Sequence, residues 1–340
     1  MPIEFDQEIK RPDRPEVVVI TGATAGVGRA VAHAFARRGA HIGLLARGAE
    51  RLEATRREVE QLGGRAIGIP TDVADARRVE SAATAVEEAF GPIDTWVNNA
   101  MTSVFAEFID IEPDEYQRVT DVCYHGTVNG TRAALKRMLP RDRGSIVLVG
   151  SALAYRGIPL QSAYCGAKHG VQGMFDSIRA ELHHRDSRVH ITMVQLPAVN
   201  TPQFSWVRSK LPNRSQPVPP IFQPEVAAKA VVWAAHHRRR ELFVGWPSVK
   251  AIVGNKAAPA IADRVLGESG YEDQMLDEPA GDRPDNLFEP FPGDPGTHGA
   301  FDHRSKSSSV QLAISLKRRW IMLGALGLAA VLGSMAAARR

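Results

Sequence analysis

The sequence predicts an α/β fold, a doubly wound parallel sheet of seven strands with helices on both faces. Two observations predict it: seven short apolar runs lie in the first 250 residues, and segments of helical spacing separate them. The runs do not alternate apolar with polar residues, so they suit strands covered on both faces. Strand and helix taking turns then implies a parallel sheet.

In order, the strands are expected at Val17–Ile20, Ile42–Ala46, Ala66–Ile69, Thr95–Asn98, Ile146–Val149, Ile191–Leu196 and Leu242–Gly245. The helices between them are expected at 26–38, 49–62, 75–89, 112–139, 161–184 and 224–236. Right-handed crossovers place a ligand at the carboxyl ends of the strands. Residues 247–278 read as a short helical extension that closes the domain.

A chain of 340 residues can bury a full core, and 44% hydrophobic with 24% charged residues is an ordinary globular composition. The net charge of +4 is small and its arginines form no stripe, which argues against nucleic acid as the main ligand. Cys123 and Cys165 lie far apart without ligand spacing, so neither a disulfide framework nor a metal site is expected. The N-terminal arm, 1–13, is charged and has no apolar core of a secretory signal.

The other end differs. Trp320–Ala338 holds 19 residues without a charge, flanked by Lys317-Arg318-Arg319 and Arg339-Arg340. As a helix it would reach roughly 29 Å, about a bilayer core. The tract 279–311 before it is rich in Pro, Gly, Asp and Ser and reads as a disordered linker. The expected organisation is therefore an arm, a catalytic domain over 14–278, a linker over 279–311 and a membrane anchor over 312–340. The catalytic domain would sit on the cytoplasmic side.

The first strand runs into Thr21-Gly22-Ala23-Thr24-Ala25-Gly26-Val27-Gly28, where a helix begins. Gly22 permits a tight turn, Gly26 lets backbone N–H groups approach a pyrophosphate, and Gly28 lets the helix lie close. Between an apolar strand and an amphipathic helix this trio reads as a dinucleotide-binding turn. Strand two ends in Ala46-Arg47. An acidic residue there would take the ribose hydroxyls of NAD, whereas Arg47 offers a cation to the 2′-phosphate of NADP(H). Asp72, after strand three, is placed to meet the adenine edge.

Tyr164 and Lys168 stand four residues apart on one helical face, and Ser151 lies just past a strand end on the same edge of the sheet. Hydride transfer at a carbinol needs a group that exchanges the alcohol proton. Tyrosine does this only if its pKa falls from about 10, and a neighbouring ammonium favours the phenolate. The Ser151 hydroxyl can hold the substrate oxygen and its developing charge.

These motifs resemble the short-chain dehydrogenase/reductase family, a Rossmann-type fold, in its TGxxxGxG/YxxxK subgroup. The likeness covers roughly 14–250 and includes Thr21-Gly22, Gly26, Gly28, Asp72-Val73, Asn98-Asn99-Ala100, Ser151, Tyr164, Lys168 and Pro197 to Thr201. It implies that Asn98 and Asn99 support the central strands and that Lys168 also holds the nicotinamide ribose. It further implies that Val199 and Thr201 touch the carboxamide, and that a homodimer or homotetramer forms through helices 112–139 and 161–184. Thr24, Ala25, Val27, Ala100 and Pro197 complete the expected cofactor contacts. Three departures stand out: Met101 and Ala198 replace family glycines, and Cys123 replaces the asparagine that supports a proton-relay water. The relay is expected to be weakened but working.

Specificity is expected from Ala152–Gln161 and Gln203–Phe222. The second carries Phe204, Trp206, Leu211, Ile221 and Phe222 and reads as a lid over a lipid-like, steroid-like or quinone-like carbonyl. The rival readings are a dinucleotide-binding scaffold or redox sensor without turnover, which Cys123 suggests, and a purely structural tail-anchored protein.

Overall fold

The computed structural model describes residues 7–9 and 13–318. Among them seven strands form one parallel sheet. They are β1 (Val17–Thr21), β2 (His41–Ala46), β3 (Arg65–Pro70), β4 (Thr95–Asn98), β5 (Ser145–Ser151), β6 (His190–Leu196) and β7 (Glu241–Phe243), in spatial order 3-2-1-4-5-6-7. The chain starts in the middle and winds outward twice, so the order reverses between β1 and β4. A crevice opens at the carboxyl ends of the strands there.

The unbroken apolar character of the strands follows from two cores. Val18, Ile20, Ile42 and Leu44 pack on α1 (Gly26–Ala36), α2 (Ala49–Gln61) and, further along the sheet, α7 (Pro224–Ala235). Val17, Val19, Ile146 and Leu148 point the other way, towards α3 (Ala76–Phe90), α5 (Gly126–Met138) and α6 (Ser162–His184). A period of two along each inner strand fills both layers, so most of their positions are apolar.

The expected helix over 112–139 is broken. α4 (Pro113–Thr120) starts on a capping box between Glu112 and Glu115, and a π turn over Asp121–His125 separates it from α5. Such an insertion leaves the apolar spacing nearly intact while rotating the side chains it carries. It buries Cys123 completely. The last strand is Glu241–Phe243, because Gly245 has φ +77° and opens α8 (Gly245–Ala257). Then α9 (Pro259–Ser269) and a short strand, Met275–Pro279, complete the expected extension.

The tract expected to be a disordered linker is instead packed on the catalytic body. Leu287 is fully buried and Phe301 nearly so, Ser305–Lys306 pairs with Ile221–Phe222, and α10 (Val310–Leu316) sets Leu312 into the first core. Its prolines and glycines restrict it to turns, while a few apolar residues and charges, spaced widely, pin it down. The expected boundary at 278 therefore does not end the packed body, and the one at 312 falls inside α10. No helix among the described residues is long and apolar enough to cross a membrane. The expected span, Trp320–Ala338, lies outside the described residues.

Candidate active site

The glycine turn sits at the switch point and is clamped from β4. The Thr21 hydroxyl accepts the N–H groups of Asn99 (2.9 Å) and Ala100 (3.1 Å). The Asn99 amide donates to the carbonyls of Thr21 and Gly22, both at 3.1 Å. Gly22 and Gly26 have φ +63° and +51°, where side chains are strained. At Gly28 a Cβ would lie 2.1 Å from the Gly22 carbonyl oxygen. The first turn of α1 has no acidic residue and no side-chain cap, so its N–H groups and dipole suit an anion. The residues fit a dinucleotide pyrophosphate.

A cavity of about 440 Å³ runs from this turn to the far end of the site. Gly22, Thr24, Ala25, Gly26 and Val27 line one end with Arg47, Asp72, Val73, Asn99 and Ala100. Ser151, Tyr164 and Lys168 line the same cavity, as do Pro197, Val199 and Thr201. Asn98 turns away from it: its amide donates to the Thr131 hydroxyl (3.1 Å) and accepts from the Trp96 indole (3.0 Å), joining β4 to α5. Thr201 packs on the turn, where a Cβ at Gly26 would approach its Cγ2 to 2.8 Å.

Ser151, Tyr164 and Lys168 do converge. β5 delivers Ser151 at its carboxyl end, and α6 carries the other two one turn apart. Lys168 Nζ lies 5.5 Å from the Tyr164 ring centre and donates to the Val149 carbonyl at 2.7 Å. Burial pushes the Tyr164 phenol well above its ordinary value, and the hydrogen bond from Ser151 only partly opposes this. Burial likewise lowers the Lys168 ammonium. Both effects favour the neutral forms, so in the protein alone the phenol keeps its proton.

Cys123, in the π turn, lies fully buried in the apolar cluster against which Tyr164 packs. Its thiol donates to the Thr102 carbonyl at 3.1 Å and its own carbonyl accepts from the Thr127 hydroxyl at 2.8 Å. Burial raises the thiol, which stays protonated. Met101 lines the cavity and packs on the cluster that holds Tyr164 and Cys123.

The expected lid has a divided role. Phe204, Trp206, Val207 and Gln216–Pro219 line the cavity, but Leu211 packs with Phe105 and Leu160, and Ile221 is fully buried. From the other side Leu153, Ile158, Pro247, Ala251 and Leu266 close an apolar chamber.

The C-terminal tract forms a strap across the crevice. The Arg47 guanidinium donates to the carbonyls of Asn286, Leu287 (3.3 Å), Phe288 (2.6 Å) and Glu289. Arg118 donates to Leu287 O (3.1 Å) and to Asp72 (2.6 Å), so the Asp72 carboxylate is held by an arginine. Burial raises Asp72, but Arg118 and the Ala74 N–H outweigh it and leave the carboxyl below its ordinary pKa. Further along, Asp294 pairs with the buried Arg29, and Gly26 N–H points at the Gly296 carbonyl (3.4 Å). Asn200, fully buried, accepts the Phe301 N–H and donates to Asp302.

Sequence reasoning missed Asn200, Arg118, Arg51 and the strap. Asn200 sits inside the Pro197–Thr201 run and could have been suspected there. The strap had no local signal, because its contacts lie far back in the chain, 101 residues from Phe301 to Asn200 and 241 from Phe288 to Arg47.

The short chain dehydrogenase model matches residues 16–211. The chain is 32% identical over 279 residues to the uncharacterized oxidoreductase YxnA of Bacillus subtilis (81% of this chain, 78% of that protein). It is 31% identical over 223 residues to a 3-dehydrosphinganine reductase of Danio rerio (63% and 67%). A solved alcohol dehydrogenase of the archaeon Thermococcus sibiricus, complexed with 5-hydroxy-NADP, superposes with a TM-score of 0.58 at 27% identity, covering 68% of this chain and 96% of that one. Glycine turn, strand order and matched span agree, and the chain belongs to the short-chain dehydrogenase family.

Proposed function

We propose that this chain is an NADP(H)-dependent oxidoreductase interconverting a carbonyl and a secondary alcohol, with Tyr164 as general acid and base. The observation that carries the reading is one cavity lined both by the dinucleotide turn and by Ser151, Tyr164 and Lys168. A bound nicotinamide would supply or accept the hydride and, when oxidised, a positive charge beside the phenol. Ser151 orients the substrate oxygen and stabilises charge developing on it. Tyr164 passes its phenolic proton to that oxygen in reduction and takes it back in oxidation. Lys168, as the ammonium, favours the phenolate between those steps. The apolar wall excludes water from the reacting atoms.

The NADP preference rests on a positive corner: Arg47, Arg51 and Arg118 line one end of the cavity with Asp72 as the carboxylate among them. A solved relative's complex with 5-hydroxy-NADP supports it. The apolar chamber supports a lipophilic carbonyl, and the printed name of the Danio rerio relative, 3-dehydrosphinganine reductase, points the same way. We also propose that the terminal apolar stretch anchors the protein to a membrane with the catalytic body on the cytoplasmic side. A homodimer or homotetramer through α4, α5 and α6 completes the proposal.

Tyr164→Phe should lower turnover at least about a hundredfold while NADPH affinity stays nearly unchanged. Steady-state rates on a carbonyl panel and a binding titration check this; an active variant sinks the mechanism. Cys123 favours a second reading, a dinucleotide-binding scaffold or redox sensor, because its thiol is tied to Thr102 where the family has asparagine. NADPH binding without turnover on the whole panel would select that reading.

A further inference from the structure

We infer that Arg51, not Arg47, is the side chain that receives the 2′-phosphate of the dinucleotide; this rests on the NADP(H) reading above. The expectation from strand position favours Arg47. In the fold, however, that guanidinium already donates to main-chain carbonyls of Asn286, Leu287, Phe288 and Glu289. Carbonyl oxygens turned towards a cation also face any anion brought to it. Arg47 is spent on holding the strap.

Arg51 is in the opposite state. It is 8% exposed and lines the cavity, yet among the described residues its guanidinium makes no hydrogen bond or ion pair. Its one described partner is the Trp206 ring, 5.7 Å from the guanidinium carbon. A face-on aromatic contact leaves the in-plane N–H donors free. None of its nitrogens is sealed off as a buried unpaired donor, so the guanidinium opens on the cavity, where a ligand can supply oxygens.

The surroundings suit a phosphate monoester. Asp294 and Glu50 are the carboxylates whose charges reach Arg51, and Arg29 opposes them. Asp294 is already bound by Arg29, and Glu50 lies on the exposed side of α2. Arg51 is the third residue of α2, whose N-cap is Gly48 and whose first turn has no side-chain cap. Arg47 and Gly48 line the same cavity, so the helix N–H groups and the guanidinium converge on one corner. The planar fork can engage two phosphate oxygens at once.

The test compares 2′,5′-ADP with 5′-AMP by calorimetry on the full chain, for the natural protein and for Arg51→Met and Arg47→Met. The two probes differ only in the 2′-phosphate. The natural protein should prefer 2′,5′-ADP, and Arg51→Met should reduce that preference by about tenfold or more with 5′-AMP affinity kept. Arg47→Met should weaken both probes together by loosening the strap. If the natural protein shows no preference, the NADP(H) reading falls and the inference with it. If the preference exists and survives Arg51→Met but vanishes in Arg47→Met, the inference alone is overturned. Retained 5′-AMP binding shows that Arg51→Met is folded, and an unchanged circular dichroism spectrum shows the same for Arg47→Met.

Discussion

At the scale of single residues, the parts that worked by backbone sterics could be read in advance, and those that depend on side-chain direction could not. Gly28 is an example of the first: a strand running into a helix leaves no room for a Cβ 2.1 Å from a carbonyl oxygen. Arg47 and Arg51 are examples of the second. Both stand at the start of one amphipathic helix, and local spacing does not say which guanidinium meets carbonyls from a distant tract. His190 illustrates how burial sets a titration. It lies in β6, 8% exposed, with Nε2 2.8 Å from the Ser145 hydroxyl, and burial followed by the charge of Arg238 pushes its pKa from 6.5 down to about 3. The unfolded chain therefore takes up a proton that the folded one refuses between those values. This contribution to stability is present above pH 6.5 and is lost progressively as pH falls towards 3. His190→Gln should flatten the fall of Tm with acidification over that window, measured by circular dichroism; an unchanged slope would refute the assignment.

At the scale of elements, the strands and most helices were legible because covered strands and amphipathic helices have different periods. The π turn was not, since one extra residue per turn barely disturbs the apolar spacing of 112–139. The strap was misread for a different reason. Its low apolar content suggested too little burial to offset ordering, but Leu287, Phe301 and Leu312 are each well buried, and Asp285 and Asp294 meet arginines of the body. A few anchors suffice when the surface that receives them is already formed. Phe301 contacts the Phe204 ring edge-on at 6.1 Å and donates its N–H to Asn200. Phe301→Ala should raise amide exchange across 286–301 by an order of magnitude or more while β1 to β6 stay protected. Hydrogen–deuterium exchange with mass spectrometry reads this, and a uniform increase over the whole chain would show that the strap is not a separate unit.

At the scale of the molecule, the glycine turn, the Ser151, Tyr164 and Lys168 group and the lid come from segments far apart in the chain, from Gly22 to Pro219, yet meet in one crevice. Two-way winding of the sheet requires that meeting, because every strand ends on the same edge. The strap also changes where the catalytic body stops. Since Leu312 belongs to its core, a chain ending at 311 would lose packing as well as the apolar terminus. A chain ending after Arg318 should keep its activity and move to the soluble fraction; a truncated form that still sediments with membranes would rule out the anchor.

The sequence by itself determined the parallel sheet, the crevice edge, the dinucleotide turn and the identity of the three chamber residues. Each follows from short-range rules: periodicity, the absence of a Cβ, and spacing of four on a helix. Only the tertiary structure decided that the tract after 278 is a strap, that Arg47 is held by its carbonyls, and that Arg51 is buried without acceptors. Those facts depend on contacts between segments 77 to 265 residues apart, where no local pattern carries the information and burial and charge together select the partner.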